Sequence, residues 1–361
     1  MEDVTRPSVT AIVLAFGDEP WLDDCIDALN ASEGLRSLQI VLVDNGGTNG
    51  AAERVATRGN AVLLRPERNL GFAGGCNLGA SVATGDVLAF VNSDAVVSSW
   101  ALHHLAVAAL EPGVGISTGS IRLGETPDRL NSGGNDVHLL GVGWAGAFGE
   151  PAADHRHRRP VTSASGAGMA MARATWDRLG GFEARYFAYH EDADLSLRCW
   201  QQGLPVVFVP EAEVVHHYEF SRNPNKLYLL ERNRAIFVLT LYETRTLLLL
   251  APFLLLFEVA VLAVALADGW GGRKAAGWWW LLRHRRWLTE TRRRLQSART
   301  VGDSELVDLF ATRLRPGHFA LPRWLRPLDA GLALALRAVG RRLHPAAPVV
   351  APPARIVPQE G

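Results

Sequence analysis

Asn92-Ser93-Asp94 closes the apolar run Val87–Val91 with an amide, a hydroxyl and a carboxylate in succession. A carboxylate leaving the end of a buried strand can hold Mg²⁺ or Mn²⁺, which needs few protein oxygens when a diphosphate and water fill its other positions. The same residue types also make turns and helix caps. Further along, "YHEDADLSLR" gathers Glu191, Asp192 and Asp194 ahead of Arg198. Crowded carboxylates raise one another's pKa, which suits a general base that must take a hydroxyl proton. At a helix start Glu191 and Asp192 would also complement the dipole, and Asp194 and Arg198 read as an i, i+4 ion pair. His216 and His217 are candidate metal or phosphate ligands. Asp44-Asn45-Gly46-Gly47 ends another apolar run, where an acid can meet a ribose or base edge or form an Asx turn. "RNLGFAGGCNLG", Arg68–Gly79, offers Gly71 with Asn69 and Asn77 as backbone open to a phosphate or sugar.

These groups need a scaffold that brings them to one edge. Val9–Leu14, Ile40–Val43, Ala61–Leu64 and Val87–Val91 are short apolar runs bounded by polar or Gly/Pro residues, as buried strands are. Between them Trp21, Leu22, Cys25, Ile26 and Leu29 repeat with helical spacing, and Ala73–Ala83 is rich in Ala and Gly. The alternation predicts a doubly wound α/β, mostly parallel sheet whose ligands collect at the carboxyl ends of the strands. Those ends read Ala15-Phe16-Gly17, Asp44-Asn45-Gly46-Gly47 and Asn92-Ser93-Asp94. Residues 113–160 are Gly-rich and read as irregular, either a loop over the site or a solvated connection. A helix over Ala172–Leu179 and a strand over Pro205–Val209 follow.

The formal net charge of zero conceals a division. Residues 1–220 carry 27 Asp/Glu against 15 Lys/Arg, and residues 221–361 carry 10 against 22. An acidic body joined to a basic, strongly apolar half points to anionic lipid as a partner and away from nucleic acid. Leu247–Ala267 is broken only by Pro252 and Glu258 and is long enough to cross a bilayer. Arg222, Lys226, Arg232, Arg234 and Arg245 precede it, and Arg273, Lys274, Arg283, Arg285 and Arg286 follow, so the positive-inside rule favours neither direction. A hairpin or re-entrant element bent near Pro252 resolves that conflict, with Trp278–Trp280 and Trp287 at headgroup level. Gly331–Val339 reads as a further amphipathic contact, and the Pro/Ala-rich end from Pro345 as disordered. Three scattered cysteines and an N-terminal stretch without a basic, then apolar, region predict a body in a reducing compartment.

Taken in order, "VTAIVLAF", "IVLVDNGGTNG", "RNLGFAGGCNLGASVATGDVLAFVNSD", "SGAGMAMARATWDRLGGFEARYFAYHEDADLSLR" and "AEVVHHYEFSRNP" resemble family 2 glycosyltransferases of the GT-A fold. The similarity is closest to membrane-associated, rhamnosyltransferase-like bacterial members that build cell-surface polysaccharide, and it covers roughly residues 8–235. The resemblance implies a catalytic domain over residues 1–220, a basic helical neck over 221–246, a membrane-embedded or re-entrant segment over 247–267 and a basic tail over 268–361. It further implies that Asp44, with Asn45 and the backbone near Ala15 and Phe16, binds the nucleotide. Asn69, Gly71, Asn77, Asn92 and Ser93 belong to the same nucleotide-binding set. Asp94 stands in the metal motif, where Asn92 replaces a first carboxylate. His216, or else His217, completes the metal–diphosphate site; Asp192 is the base, and Glu191 supports it. The expected reaction is an inverting sugar transfer from a thymidine- or uridine-diphosphate donor to a polyprenyl-linked acceptor at the cytoplasmic face of the membrane. A nucleotide-sugar-binding scaffold and a nucleotidyltransferase are the competing readings.

Overall fold

The four apolar runs all become strands in the computed structural model, which describes residues 6–58, 61–217, 225–315 and 326–344. Strands β1 (Ser8–Gly17), β2 (Ser37–Gly47), β3 (Val62–Leu64) and β4 (Val87–Asn92) pair in parallel, in the order β3-β2-β1-β4. Helices α1 (Leu22–Asn30), α2 (Ala51–Thr57) and α3 (Gly71–Ser81) connect them. The α1 stripe Leu22, Cys25, Ile26 and Leu29 is buried, as its spacing requires.

The sheet then reaches past β4 in a way the sequence did not announce. Strand β5 (Ala95–Val97) leads to α4 (Ala101–Leu110) and to β6 (Ile116–Leu123), which lies inside the sheet within the segment expected to be irregular. Its Ser117 and Thr118 disguise it, because their hydroxyls are satisfied by the carbonyls of Leu105 and Gly168. Short strands β7 (Leu130–Ser132), β8 (Asn135–Val137), β9 (Gly143–Ala145) and β10 (Arg159–Pro160) follow. Strand β11 (Gly168–Ala172) runs antiparallel between β4 and β6. Helices α5 (Arg173–Leu179) and α6 (Glu191–Trp200) precede β12 (Val206–His216), which extends well beyond the expected Val209 and pairs in parallel with β6.

The Gly-rich Arg68–Gly79 stretch also differs from expectation: most of it is helix α3 packed on β1. A methyl group at Gly79 would stand 2.6 Å from Ile12 Cγ2, and one at Gly75 would stand 2.2 Å from Leu14 Cδ1. Both glycines therefore serve helix-on-sheet contact. At Gly71, with φ +72°, a methyl would meet the Phe187 carbonyl oxygen at 2.3 Å.

After β12 the described chain is helical: α7 (Lys226–Leu241), α8 (Thr244–Ala267), α9 (Gly271–Arg283), α10 (Arg285–Ala298), α11 (Asp303–Leu306) and α12 (Arg326–Leu343). Four expectations for this half are corrected. Helix α8 runs through Pro252, and the chain reverses at Asp268–Trp270 instead. Arg232 and Arg234 are buried in protein and do not face lipid. The apolar stripe of α12, Ala333, Leu336 and Val339, is buried too, and Leu336 and Val339 join Phe237, Leu241 and Leu250 in one cluster. Trp280 and Trp287 likewise turn to the body, beneath the guanidinium groups of Arg232 and Arg185. Arg222 and the Pro-rich end lie outside the described residues.

Gly79→Ala is expected to lower unfolding free energy by about 1–3 kcal/mol, since Ile12 is core and cannot yield freely. Gly272→Ala, whose added methyl meets nothing within 4 Å, should be neutral or gain about 0.4–1 kcal/mol. Urea unfolding of the two variants checks both.

Candidate functional site

Strand β4 delivers Asn92 to the sheet edge, and a tight turn places Ser93 and Asp94 before β5 folds back to pair antiparallel with β12. That pairing sets Ala95 opposite His216, and Asp94 O accepts the His217 amide at 2.9 Å. Alternation along a strand sends adjacent side chains to opposite faces. His216 therefore meets Asp94, with Nε2 to Oδ1 at 3.1 Å, while His217 stacks on Trp21 at 3.5 Å between ring centroids. Asn92 Nδ2 lies 3.2 Å from the same Nε2, and Asn131 Oδ1 lies 3.2 Å from Nδ1. Ser93 is buried in the turn.

In the tautomer whose Nδ1–H donates to Asn131, Nε2 aims a lone pair toward a carboxylate oxygen. A cation bound by both relieves that repulsion. Two donors 3.1 Å apart also match neighbouring corners of an octahedron with bonds of about 2.1 Å, whose edge is ~3.0 Å. The pair thus fits a hard divalent ion that takes most of its ligands from a substrate. Among the described residues no cluster of three His, Cys, Asp or Glu side chains forms a complete protein cage.

Asp192 sits at the start of α6. Its Oδ1 accepts from Ala193 N at 2.8 Å, and its Oδ2 accepts from Asn135 Nδ2 at 3.2 Å and Gly166 N at 3.4 Å. Burial nonetheless raises its pKa above the usual aspartate value, against the pull of these donors. Glu191 is raised further, by burial and by Asp192 beside it, and its Oε2 is buried without a hydrogen-bond partner. The donors favour charge on Asp192, while burial and the neighbouring carboxylate disfavour it on Glu191. Asp194 belongs elsewhere, in a buried pair with Arg198 at 2.7 Å and a bond from the Tyr186 hydroxyl.

Two short segments draw the halves together. Gly166 donates to Asp192, and the carbonyl of the next residue, Ala167, accepts from Asn92 N at 3.3 Å. On the other side Asn131 touches His216, and Asn135 touches Asp192.

At the nucleotide end, Ala15 is buried and the Phe16 ring is half exposed, 3.6 Å from where a side chain on Gly46 would begin. Asp44 forms the Asx turn, with Oδ1 accepting from Gly46 N at 3.3 Å and also from Gly47 N at 2.8 Å, and its Oδ2 pairs with Arg65 Nε at 3.1 Å. Asn45 and Asn69 are bonded to each other at 2.8 Å, and together they hold the start of α3 through Leu70 N and Gly71 N. Asn77 is a correction. Its amide is engaged at both ends by the Phe182 backbone, at 2.8 and 3.0 Å, and faces away from this edge.

The turn before Glu191 was not read from the sequence. Phe187, Tyr189 and His190 have φ of +66°, +70° and +71°, and Ala188 N bonds to Tyr186 O at 2.8 Å, closing a γ-turn of the strained hand around Phe187. Asn233 Nδ2 of α7 donates to the carbonyls of Tyr186, Ala188 and Tyr189 at 2.7 to 2.9 Å. Arg232 donates to Arg185 O and Tyr186 O, and Ala73 N to Phe187 O. The available signal was Asn233 with apolar Leu229, Leu230, Ile236 and Phe237 at helical spacing from it, in a helix that reads as a simple basic neck. Asn233→Ala should strand these carbonyls, cost about 1–3 kcal/mol in urea unfolding and speed amide exchange across residues 186–190.

The "Glycosyltransferase like family 2" model matches residues 7–237. An N-acetylglucosaminyl-diphospho-decaprenol L-rhamnosyltransferase of Mycobacterium tuberculosis is 28% identical over 237 residues, covering 58% of this chain and 76% of that protein. The O-antigen biosynthesis protein RfbC of Myxococcus xanthus is 26% identical over 230 residues, 60% of this chain and 18% of that one. Among solved structures, GalNAc-T7 with UDP, GalNAc and Mn²⁺ superposes with a TM-score of 0.56 at 17% identity. That likeness is one of fold, over 66% of this chain and 49% of the other. With its GT-A sheet and with most of its length matched, this chain is a glycosyltransferase and belongs to family 2.

Proposed function

We propose that the chain transfers a sugar, rhamnose first among candidates, from a nucleoside-diphosphate donor to a hydroxyl of a polyprenyl-linked glycan at the cytosolic face of the membrane. The observation that carries this reading is the Gly166-Ala167 dipeptide, which grips Asp192 through one residue and the Asn92 turn through the next. Consecutive Cα atoms stand about 3.8 Å apart, which supports reading Asp192 and the strand end that carries Asn92 and Asp94 as parts of one site. The mycobacterial relative's name supports the sugar and the lipid-linked acceptor; thymidine and uridine both suit the base. Because Arg232 and Asn233 hold the turn that carries the acids, we draw the catalytic unit through α7 rather than ending it at residue 220.

In this reading the base lies against Phe16 and the backbone of Ala15, with Asp44 at its edge. Asp94 and His216 would hold Mg²⁺ or Mn²⁺. A cation there supplies Lewis-acid stabilisation of charge building on the departing diphosphate. Asp192 accepts the acceptor hydroxyl proton while Ala193, Gly166 and Asn135 keep its carboxylate aimed. The acceptor oxygen bonds to the anomeric carbon as the bond to the diphosphate breaks on the opposite face. Configuration inverts in that single displacement, and no covalent enzyme intermediate forms.

A donor panel assayed with divalent metal and a membrane extract tests the proposal by the product released. A nucleoside diphosphate with matching incorporation of sugar into lipid is expected. Pyrophosphate would point to nucleotidyl transfer, and binding without turnover to a scaffold. Asp192→Asn should cut turnover by about 10²–10⁴ while donor binding persists. Only deprotonated Asp192 accepts a proton and burial raises its pKa, so turnover should rise with pH along a limb above the range of ordinary aspartates. That limb should vanish from the residual activity of the Asn variant.

A further inference from the structure

Helix α8 has 24 residues, about 36 Å, so length alone would let it cross a bilayer. Its contacts say otherwise. Thr246, Leu250 and Ala265 are buried, and Phe253, Leu254 and Phe257 pack against the cluster holding Phe237 and Leu250. One stripe of the helix thus touches protein from Thr246 to Phe257, and Ala265 is covered again near its end. The opposite stripe carries no charge between Leu248 and Ala267, and its large side chains, Leu248, Leu255, Leu256, Val259 and Leu266, range from 58% to 71% exposed.

Glu258 sits on the protein side, past the middle of the helix. Its carboxylate binds Arg234 of α7, Lys274 Nζ of α9 at 2.8 Å and Trp278 Nε1 at 3.0 Å. Glu231 pairs with the same Arg234 and Lys274. If α8 spanned, this ionic cluster and the α7 helix that clamps the Phe187 turn would be drawn to bilayer depth. Removing one partner to let α8 swing free would leave buried charge uncompensated.

We propose that α8 lies in the plane of the membrane, its outer stripe sunk at the boundary of headgroups and acyl chains, seating the catalytic body on the lipid surface without crossing it. Helix α9 beside it adds exposed Trp279 and Leu282, and the exposed Arg283, Arg285 and Arg286 follow at once. An aromatic and apolar face running into arginines matches an anionic leaflet. A second copy packed on the same face would bring like charges together. This inference rests on packing and does not depend on the sugar-transfer reading, because its test contains neither donor nor acceptor.

The full chain is floated with phosphatidylcholine vesicles, with and without phosphatidylglycerol. Binding should rise with phosphatidylglycerol and fall at least about tenfold when Leu255 and Leu256 are both replaced by Asp. Arg283→Gln with Arg286→Gln should remove only the phosphatidylglycerol-dependent part. Single cysteines placed at Leu248, Leu256 and Leu266 are then labelled with a fluorophore and quenched by lipids spin-labelled at shallow or deep positions; native Cys25, Cys76 and Cys199 are buried. Equal, shallow depth at all three sites is expected. A deep centre between shallow ends would mean a crossing helix, and absent flotation with concentration-dependent dimers would mean a second copy; either overturns the proposal. If the Asp variant fails to fold, the depth profile still decides.

Discussion

The turn before Glu191, left-handed at Phe187, Tyr189 and His190, needs an external clamp, and the adjacent Arg232 and Asn233 of α7 supply it. Asn233 and Arg232 bind the carbonyls of residues 185, 186, 188 and 189, while Arg234 reaches the other way to Leu140 O and to Glu258 of α8. Positive φ at Phe187, Tyr189 and His190 costs of order 1–3 kcal/mol each, so such a turn persists only where its surroundings over-determine it. Here they do. The backbone is aimed so that α6 begins with Glu191 and Asp192, and Phe187 O ties the same turn to α3 through Ala73 N. Helix α7 therefore both backs the turn that carries these acids and anchors the apolar helix.

The second convergence is made by strands. A three-residue strand, β5, turns the chain back from β4 onto β12, and this sets the carboxylate of Asp94 against the imidazole of His216 across 122 residues of sequence. Antiparallel β11, wedged between β4 and β6, brings Gly166 and Ala167 beside both this pair and Asp192. Hydrogen bonds from backbone rather than from long side chains position the acids. Such contacts lose little conformational freedom on folding and hold geometry closely.

The same structure gives internal partners to several residues that look like ligand contacts. Asn45 and Asn69 latch the end of β2 to the start of α3, Asn77 holds the Phe182 backbone, and Gly75 and Gly79 let α3 approach β1. Each lies near the nucleotide edge in sequence terms, which is why type and position alone suggest a ligand. Their amides instead meet backbone groups that would otherwise be buried and unpaired.

Residue order by itself determined the parallel half of the sheet, its connecting helices and the acids at the strand ends. Apolar runs, helical spacing and carboxylate position are local properties, and the motifs that carry the family resemblance are local too. Strand β6 escaped because its interior hydroxyls look like loop until Leu105 and Gly168 supply their acceptors. Only tertiary structure decided that His216 rather than His217 faces Asp94, that Arg232 and Arg234 serve the protein interior, and that α8 lies against the body. Each depends on a partner brought from elsewhere in the chain. An arginine that meets a carbonyl and one that meets a lipid phosphate are the same letter until packing supplies the other half of the interaction.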